Sequence, residues 1–179
     1  MNGRPGAAAA TGLLGLAILA AACRKGGEVA SEAAPPPVAP VPTRVVLFFP
    51  GDDGRLHPEP REILDLPTSL GPRIRLLVEE LVLGSPEGLA APFPWPAQVL
   101  GVFVDDAGNA YVDLSAPPPD AVAGSAGEVA VLYATVSTVV ANCPGVARVQ
   151  LLFDGQEVRT LGHLDLSRPV SPRPELIAR

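Results

Sequence analysis

Residues 125–142 read SAGEVAVLYATVSTVVAN and carry the pattern of a helix. Ser125 precedes Glu128 by three residues, which is the capping-box pattern of a helix N-terminus, and Pro144-Gly145 marks the helix end. The large apolar residues recur every three or four positions, as on the buried side of a helix: Val129, Leu132, Tyr133, Val136, Val139 and Val140. The sequence therefore predicts a long helix with one apolar stripe and a side-chain cap.

Strand patterns lie on both sides of this helix. After it, residues 146–153 form an apolar run that Asp154-Gly155 turns back into residues 156–160. Before it, apolar residues alternate over 100–104 and again over 110–114. Two alternating runs around a short polar turn are typical of a β-hairpin.

The first half of the chain carries another helix between strand patterns. Residues 43–50 are β-branched and aromatic, and residues 61–66 form a second, shorter extended piece. Apolar residues recur at helical spacing over 71–83, before Gly84 ends the pattern. The order β-α-β-β-α-β predicts an α+β fold, in which a single two-layer domain has both helices packed on one face of a mixed or antiparallel sheet.

The N-terminus has the layout of a secretory signal. Arg4 is followed by an apolar run of about 14 residues, too short for a bilayer core that needs ~20. The small residues 20–22 precede Cys23, which resembles the lipobox, where a lipoprotein receives diacylglycerol on its Cys before cleavage. Leu19 lies four residues before Cys23, although three is favoured. The alternative is an ordinary signal cleaved after Ala22, with an incidental Cys.

Composition divides the chain into a lipoprotein signal peptide at 1–22, an Ala/Pro-rich tether at 23–42, the domain at 43–169 and a C-terminal tail at 170–179. The tether composition cannot bury enough apolar surface to offset the entropy of ordering. As a disordered polyproline II spacer it would reach ~60 Å from a membrane. A tether directly after Cys23 favours the lipoprotein reading.

Charge and cysteine content exclude several classes. The net charge of −6 disfavours nucleic-acid binding. The only histidines are His57 and His163, too few and too isolated for a zinc site, and no cofactor is expected.

Aspartates beside glycines predict turns held by side-chain hydrogen bonds, with weak calcium binding at one turn as the alternative. Cys143, beside Pro144, is expected to be an inert thiol rather than the disulfide partner of Cys23.

Six motifs follow one another along the chain: FFP at 48–50, ELVLGSP at 80–86, AYVDLS at 110–115, GSAGE at 124–128, VQLLFDG at 149–155 and GHLDLSRP at 162–169. In this order they resemble the motifs of the GerMN domain family. The resemblance covers residues 43–169 and implies a domain found in sporulation and spore-germination proteins and in bacterial lipoproteins, with no enzymatic activity. Sporulation members often carry two copies and this chain has one, so an envelope lipoprotein is the expected identity.

A non-catalytic interaction or assembly module is therefore predicted, anchored outside the cytoplasm by a lipid on Cys23. Its partner would be an unknown envelope protein or a second copy. Strand parity places Phe48, Phe103 and Tyr111 opposite the helices, where exposed apolar residues form a contact surface. The alternative is that residues 85–97 or the C-terminal tail cover them.

A small-ligand or cell-wall-binding domain, or an unrecognised hydrolase, is the second hypothesis. Its best support is the motif with His163, Asp165 and Ser167. Alternate residues of an extended segment lie ~6–7 Å apart, whereas a catalytic relay needs hydrogen-bond contact and an oxyanion hole. The motif therefore favours a closing strand over a catalytic site.

We predict that Cys23 carries diacylglycerol and that the protein fractionates with membranes. Arg24, rather than Asp, follows Cys23, which favours the outer membrane if the cell has two. A fatty-acid probe should label the wild type and leave Cys23→Ala unlabelled; equal labelling of both would contradict lipidation.

Overall fold

The computed structural model describes residues 40–119, 121 and 124–179, so the signal peptide, Cys23 and the tether up to residue 39 lie outside the described residues. The elements are β1 Pro42–Pro50, β2 Leu56–Leu64, α1 Leu70–Leu83, β3 Val99–Val104, β4 Asn109–Leu114, α2 Ser125–Asn142, β5 Arg148–Phe153, β6 Gln156–Glu157, β7 Thr160–Leu161, β8 Leu164–Asp165 and a 3₁₀ turn at Pro174–Leu176. Two helices with mixed and antiparallel sheets confirm the α+β prediction. Neither helix in these ranges is long and apolar enough to cross a membrane.

The strands form three sheets. β1 and β2 make an antiparallel hairpin, β3-β4-β5-β6 make a four-stranded sheet, and β7 pairs with β8. β4 and β5 are parallel, because α2 provides the crossover between them. The β5–β6 turn has positive φ at both Asp154 and Gly155, which is the hairpin geometry that the Asp-Gly pair predicts.

β2 begins earlier than the predicted extended piece at 61–66. The amides of Val46 and Phe48 point away from β2, because they donate to Asn142 Oδ1 at 2.9 Å and Thr138 Oγ1 at 3.0 Å. Their antiparallel partners are Pro60 and Pro58. These are non-hydrogen-bonded pairs, in which the N–H and C=O groups of both residues point away from the partner strand. The N–H groups that the prolines lack would therefore lie on the outer edge of β2, so no hydrogen bond between β1 and β2 is lost.

Helix α2 is buried on nearly all sides rather than along one stripe. It packs against β1, β5 and α1. Small and hydroxyl side chains complete its buried surface alongside the predicted apolar residues: Ala130, Ala134, Thr135, Ser137 and Thr138. Thr135 Oγ1 donates to the Val131 carbonyl at 2.8 Å. A helix enclosed this way is the central element of the domain.

The predicted side-chain cap of α2 is wrong. Gly124, with φ 84°, is the N-cap, and no side chain caps the helix. Glu128 is only 2% exposed and does not reach back to the N-cap; its carboxylate instead accepts the His163 amide at 2.8 Å. A tertiary contact has replaced the local one.

The C-terminal segment after Pro169 packs as part of the domain, although the sequence predicts a tail there. Val170 and Val149 exchange backbone hydrogen bonds of 2.8 and 2.9 Å, and the Ala178 amide donates to the Leu56 carbonyl at 2.8 Å. Between these points the Arg173 guanidinium lies 5.1 Å from the Tyr133 ring centroid. The segment thus passes from β5 to β2 over α2.

Leu132→Ala should lower the free energy of unfolding by ~2–5 kcal/mol, because it empties space inside the core, where Leu132 is 1% exposed. Ser125→Ala should change it far less, since Ser125 makes no cap. Denaturant unfolding of both variants measures the difference. An equal loss of stability in the two would contradict the helix placement.

Candidate interaction face

The four-stranded sheet has one covered face and one open face. Alternate residues of β4 and β5 point toward the helices and are fully buried: Ala110, Val112, Leu114, Val149 and Leu151. Residues of opposite parity form what we call the open face: Phe103, Tyr111, Asp113, Leu152 and Glu157. Phe103 is 64% exposed, and its ring centroid lies 5.9 Å from that of its cross-strand partner Tyr111.

Phe48 does not belong to the open face, so its predicted place there is wrong. It is 8% exposed and part of the core. β1 pairs only with β2, and its other edge is occupied by α2 through Thr138 and Asn142. β1 therefore does not extend the four-stranded sheet. Parity along a strand predicts which face a residue takes, but not which sheet the strand joins. For Phe103 and Tyr111, binding stays a prediction.

Residues 85–97 do not cover the Phe103 ring. Trp95 is 6% exposed and its Nε1 donates to the Ser115 carbonyl at 3.3 Å, at the end of β4. Gln150 is different: its side-chain amide donates to the Leu166 carbonyl, and it is 4% exposed. The segment around Leu166 therefore covers one side of the sheet face and leaves Phe103 exposed, with Tyr111 half-buried beside it.

Asp105 fixes the edge of the open face. Its carboxylate accepts the Asn109 side-chain and backbone N–H groups, each at 2.8 Å, and the Ala107 amide at 3.0 Å. These hydrogen bonds, led by the Asn109 side chain, hold the pKa of Asp105 below its usual value. This is the turn chemistry that the sequence predicts. The Tyr111 hydroxyl lies 3.3 Å from Asp105 Oδ2, and its pKa is raised by burial and by the charges of Asp105 and Glu157.

The motif at 162–169 does not assemble a relay. The His163 ring, 87% exposed, places Nδ1 3.3 Å from Glu128 Oε1. The Asp165 carboxylate accepts the Ser167 amide at 2.9 Å, and hydrogen bonds from the Ser167 hydroxyl and from this amide lower the pKa of Asp165. Each polar group thus serves a local turn or a tertiary contact. The partner that sequence reasoning missed is Glu128, an acid within an apolar helix.

A second charged cluster lies between β2 and α1, and sequence reasoning missed it. Arg61 contacts Glu59 Oε1 at 2.6 Å, Glu80 Oε2 at 2.8 Å and the Gly84 carbonyl at 3.0 Å. The Ser85 hydroxyl donates to the other oxygen of Glu59, which is 2% exposed. Since both carboxylates and the guanidinium are partnered, the cluster joins β2 to the end of α1.

The other candidate residues, Cys143 and His57, are not arranged as catalytic or metal-binding groups. Cys143 is fully buried, and burial raises the pKa of its thiol to about 11, which leaves little reactive thiolate. His57 Nε2 lies 2.9 Å from Asp53 Oδ1 on the surface. Across the part of the chain that the structure describes, no three His, Cys, Asp or Glu side chains are grouped to hold a metal ion.

Gly162→Ala should destabilise the domain more than Gly88→Ala. Both glycines have positive φ, 57° and 87°, so both variants bear the cost of an L side chain there, about 1 kcal/mol or more. A Cβ at 162 would also collide with the Glu128 carboxylate, whereas one at 88 meets open space. Thermal unfolding of the two variants measures the extra cost, and equal midpoints would contradict the Glu128 contact.

We compared the chain with known proteins and solved structures. No curated protein matches the chain significantly. Among solved structures, the tandem GerMN domains of the sporulation protein GerM from Bacillus subtilis match with 18% identity and a TM-score of 0.54, over 73% of this chain and 46% of that one. The chain thus spans about half of that protein.

Two further structures match. The first GerMN domain of the same protein has 18% identity and a TM-score of 0.52, covering 76% of this chain and 98% of that one. A candidate lipoprotein of Clostridium perfringens has 26% identity and a TM-score of 0.49, covering 73% and 87%. The GerMN matches confirm the fold.

A family model matches residues 46–159, from within β1 to the residue before β7. Its description is Germane: sporulation and spore germination. The match spans both helices and the four-stranded sheet, and it confirms the resemblance carried by the sequence motifs. The chain belongs to the Germane family.

Proposed function

We propose that this protein is a lipid-anchored envelope protein whose Germane domain is a non-catalytic interaction module. The observation that carries the proposal is the open face, where Phe103 is 64% exposed beside Tyr111. Exposed aromatic pairs supply large contact area at small cost in side-chain entropy, and such residues dominate binding energy in protein interfaces.

Closed strand edges support a face rather than an edge as the contact. On the edge of β1 away from β2, side chains of α2 accept the backbone amides of Val46 and Phe48. Pro58 and Pro60 remove donors from the free edge of β2, and the Arg75 guanidinium donates to the Val99 and Leu100 carbonyls of β3. A partner strand would need those backbone groups to extend a sheet.

The outer edge of β5 is closed as well. β6 pairs with Leu152 and Phe153, and Val170 pairs with Val149. With these edges closed, the open face still presents exposed apolar surface, chiefly the Phe103 ring. Face-to-face docking is thus favoured over strand addition.

The polar groups favour a non-catalytic role. An active site needs a nucleophile or acid–base pair in contact, with groups free to receive substrate. In the described ranges the polar residues of the 162–169 motif serve tertiary and turn contacts, and the Cys143 thiol is buried. Association is the activity that this arrangement supports best.

The anchor follows from the sequence. Cys23 ends the apolar run, and the Ala/Pro-rich tether separates it from the first residue of β1, Pro42. Such a spacer gives the domain reach from a membrane. Arg24 favours the outer membrane if the cell has two.

Phe103→Ser should release the protein from its complex while leaving it folded, because the ring is exposed and makes no core contact. We would solubilise membranes in mild detergent and compare the mass of the assembly by native electrophoresis. The matched control is Leu83→Ser, which removes another apolar side chain that is 79% exposed. An unchanged assembly in Phe103→Ser, with the same unfolding midpoint as wild type, would overturn the open face as the contact.

A further inference from the structure

We infer that the open face binds a basic polypeptide surface, with an arginine or lysine of the partner seated over the Phe103–Tyr111 pair. The inference rests on the proposed function and names the chemistry of its partner. Its basis is the position of carboxylates around the two aromatic rings.

The carboxylates lie in the rows next to the aromatic pair. Gly101, Asp113, Leu152 and Glu157 are aligned across β3, β4, β5 and β6. Since side chains two residues apart on a strand share a face, this row lies beside the row of Phe103 and Tyr111. Glu157 is exposed, and it pairs with no cation among residues 40–119, 121 and 124–179.

A third carboxylate lies on the other side of the pair. Asp105 Oδ2 is 3.3 Å from the Tyr111 hydroxyl. Arg148 is on this side as well, aligned with Asn109 in the row next to Tyr111, where its Nε donates to Asn109 Oδ1 at 2.9 Å. The aromatic pair is therefore bordered by Asp113 and Glu157 in one row and by Asp105 and Arg148 on the other side, so that three carboxylates face one guanidinium.

This combination fits a cation. A guanidinium or ammonium within about 6 Å of a ring centroid is attracted to the negative face of the ring, and nearby carboxylates add to the attraction. The domain uses the same contact internally, with Arg61 5.6 Å from the Phe49 centroid and Arg173 5.1 Å from the Tyr133 centroid. Among residues 40–119, 121 and 124–179, no arginine or lysine lies over the Phe103 or Tyr111 ring.

A second copy of this chain fits the open face poorly. A twofold contact through one patch sets the patch against itself, so Asp113 and Glu157 would meet the same residues of the other copy. Like charges opposed across an interface are unfavourable, and the chain carries a net charge of −6. The charges thus favour a different, basic partner.

The test places p-benzoylphenylalanine at position 103 of the full chain in its native cells, followed by irradiation and sequencing of the crosslinked segment. We expect an adduct with a segment rich in arginine and lysine. Glu157→Lys should reduce the adduct about tenfold, since it reverses a charge at the rim, and Glu157→Gln should reduce it less. The matched control is Glu62→Lys, which reverses an exposed charge on β2.

The outcomes separate the two claims. No adduct from position 103 would overturn the proposed function together with this inference. An adduct with an acidic or neutral segment, or with a second copy of this chain, would overturn the basic partner alone. So would an equal yield from Glu157→Lys and Glu62→Lys when both variants keep the wild-type unfolding midpoint.

Discussion

The fold depends on the burial of α2 on nearly its whole circumference. Small and hydroxyl residues such as Ala134, Thr135 and Thr138 let neighbouring elements approach the helix closely while its larger apolar residues fill the core. β1, β5 and α1 pack against it, and the C-terminal segment passes over Tyr133. Because several elements pack against this one helix, the three small sheets share a core without joining into a single large sheet.

The same arrangement explains where the domain is left open. α2 contributes Thr138 and Asn142 to close the edge of β1, and Pro58 and Pro60 of β2 offer no N–H donor to another strand. Most apolar residues of β4 and β5 face the helices, and the segment around Leu166 covers Gln150 on the opposite face. Phe103 and Tyr111 lie on that face, bordered by carboxylates. Closed edges and an open aromatic face are two consequences of one packing scheme.

Local signals predicted much of this fold from the sequence. The Asp154-Gly155 turn, the Asp105 turn and the stripe of α1 all depend on residues near each other in the chain. The errors lie where distant segments meet: β2 was hidden by prolines that are tolerated only at a free edge, Glu128 left its predicted cap for His163, and residues 170–178 bind β5 and β2. For the site, parity placed Phe103 and Tyr111 on one face, but Phe48 failed because parity cannot tell one sheet from another.

The proposed function requires the open face to be the surface that the protein uses in its assembly. Hydroxyl-radical footprinting of the native membranes, compared with the purified chain, tests it directly, since aromatic side chains react readily when exposed. We expect Phe103 and Tyr111 to lose reactivity in the membranes while Leu64 and Leu83, 61% and 79% exposed, keep theirs. Equal reactivity of Phe103 in both samples, with protection of Leu64 or Leu83 instead, would contradict it.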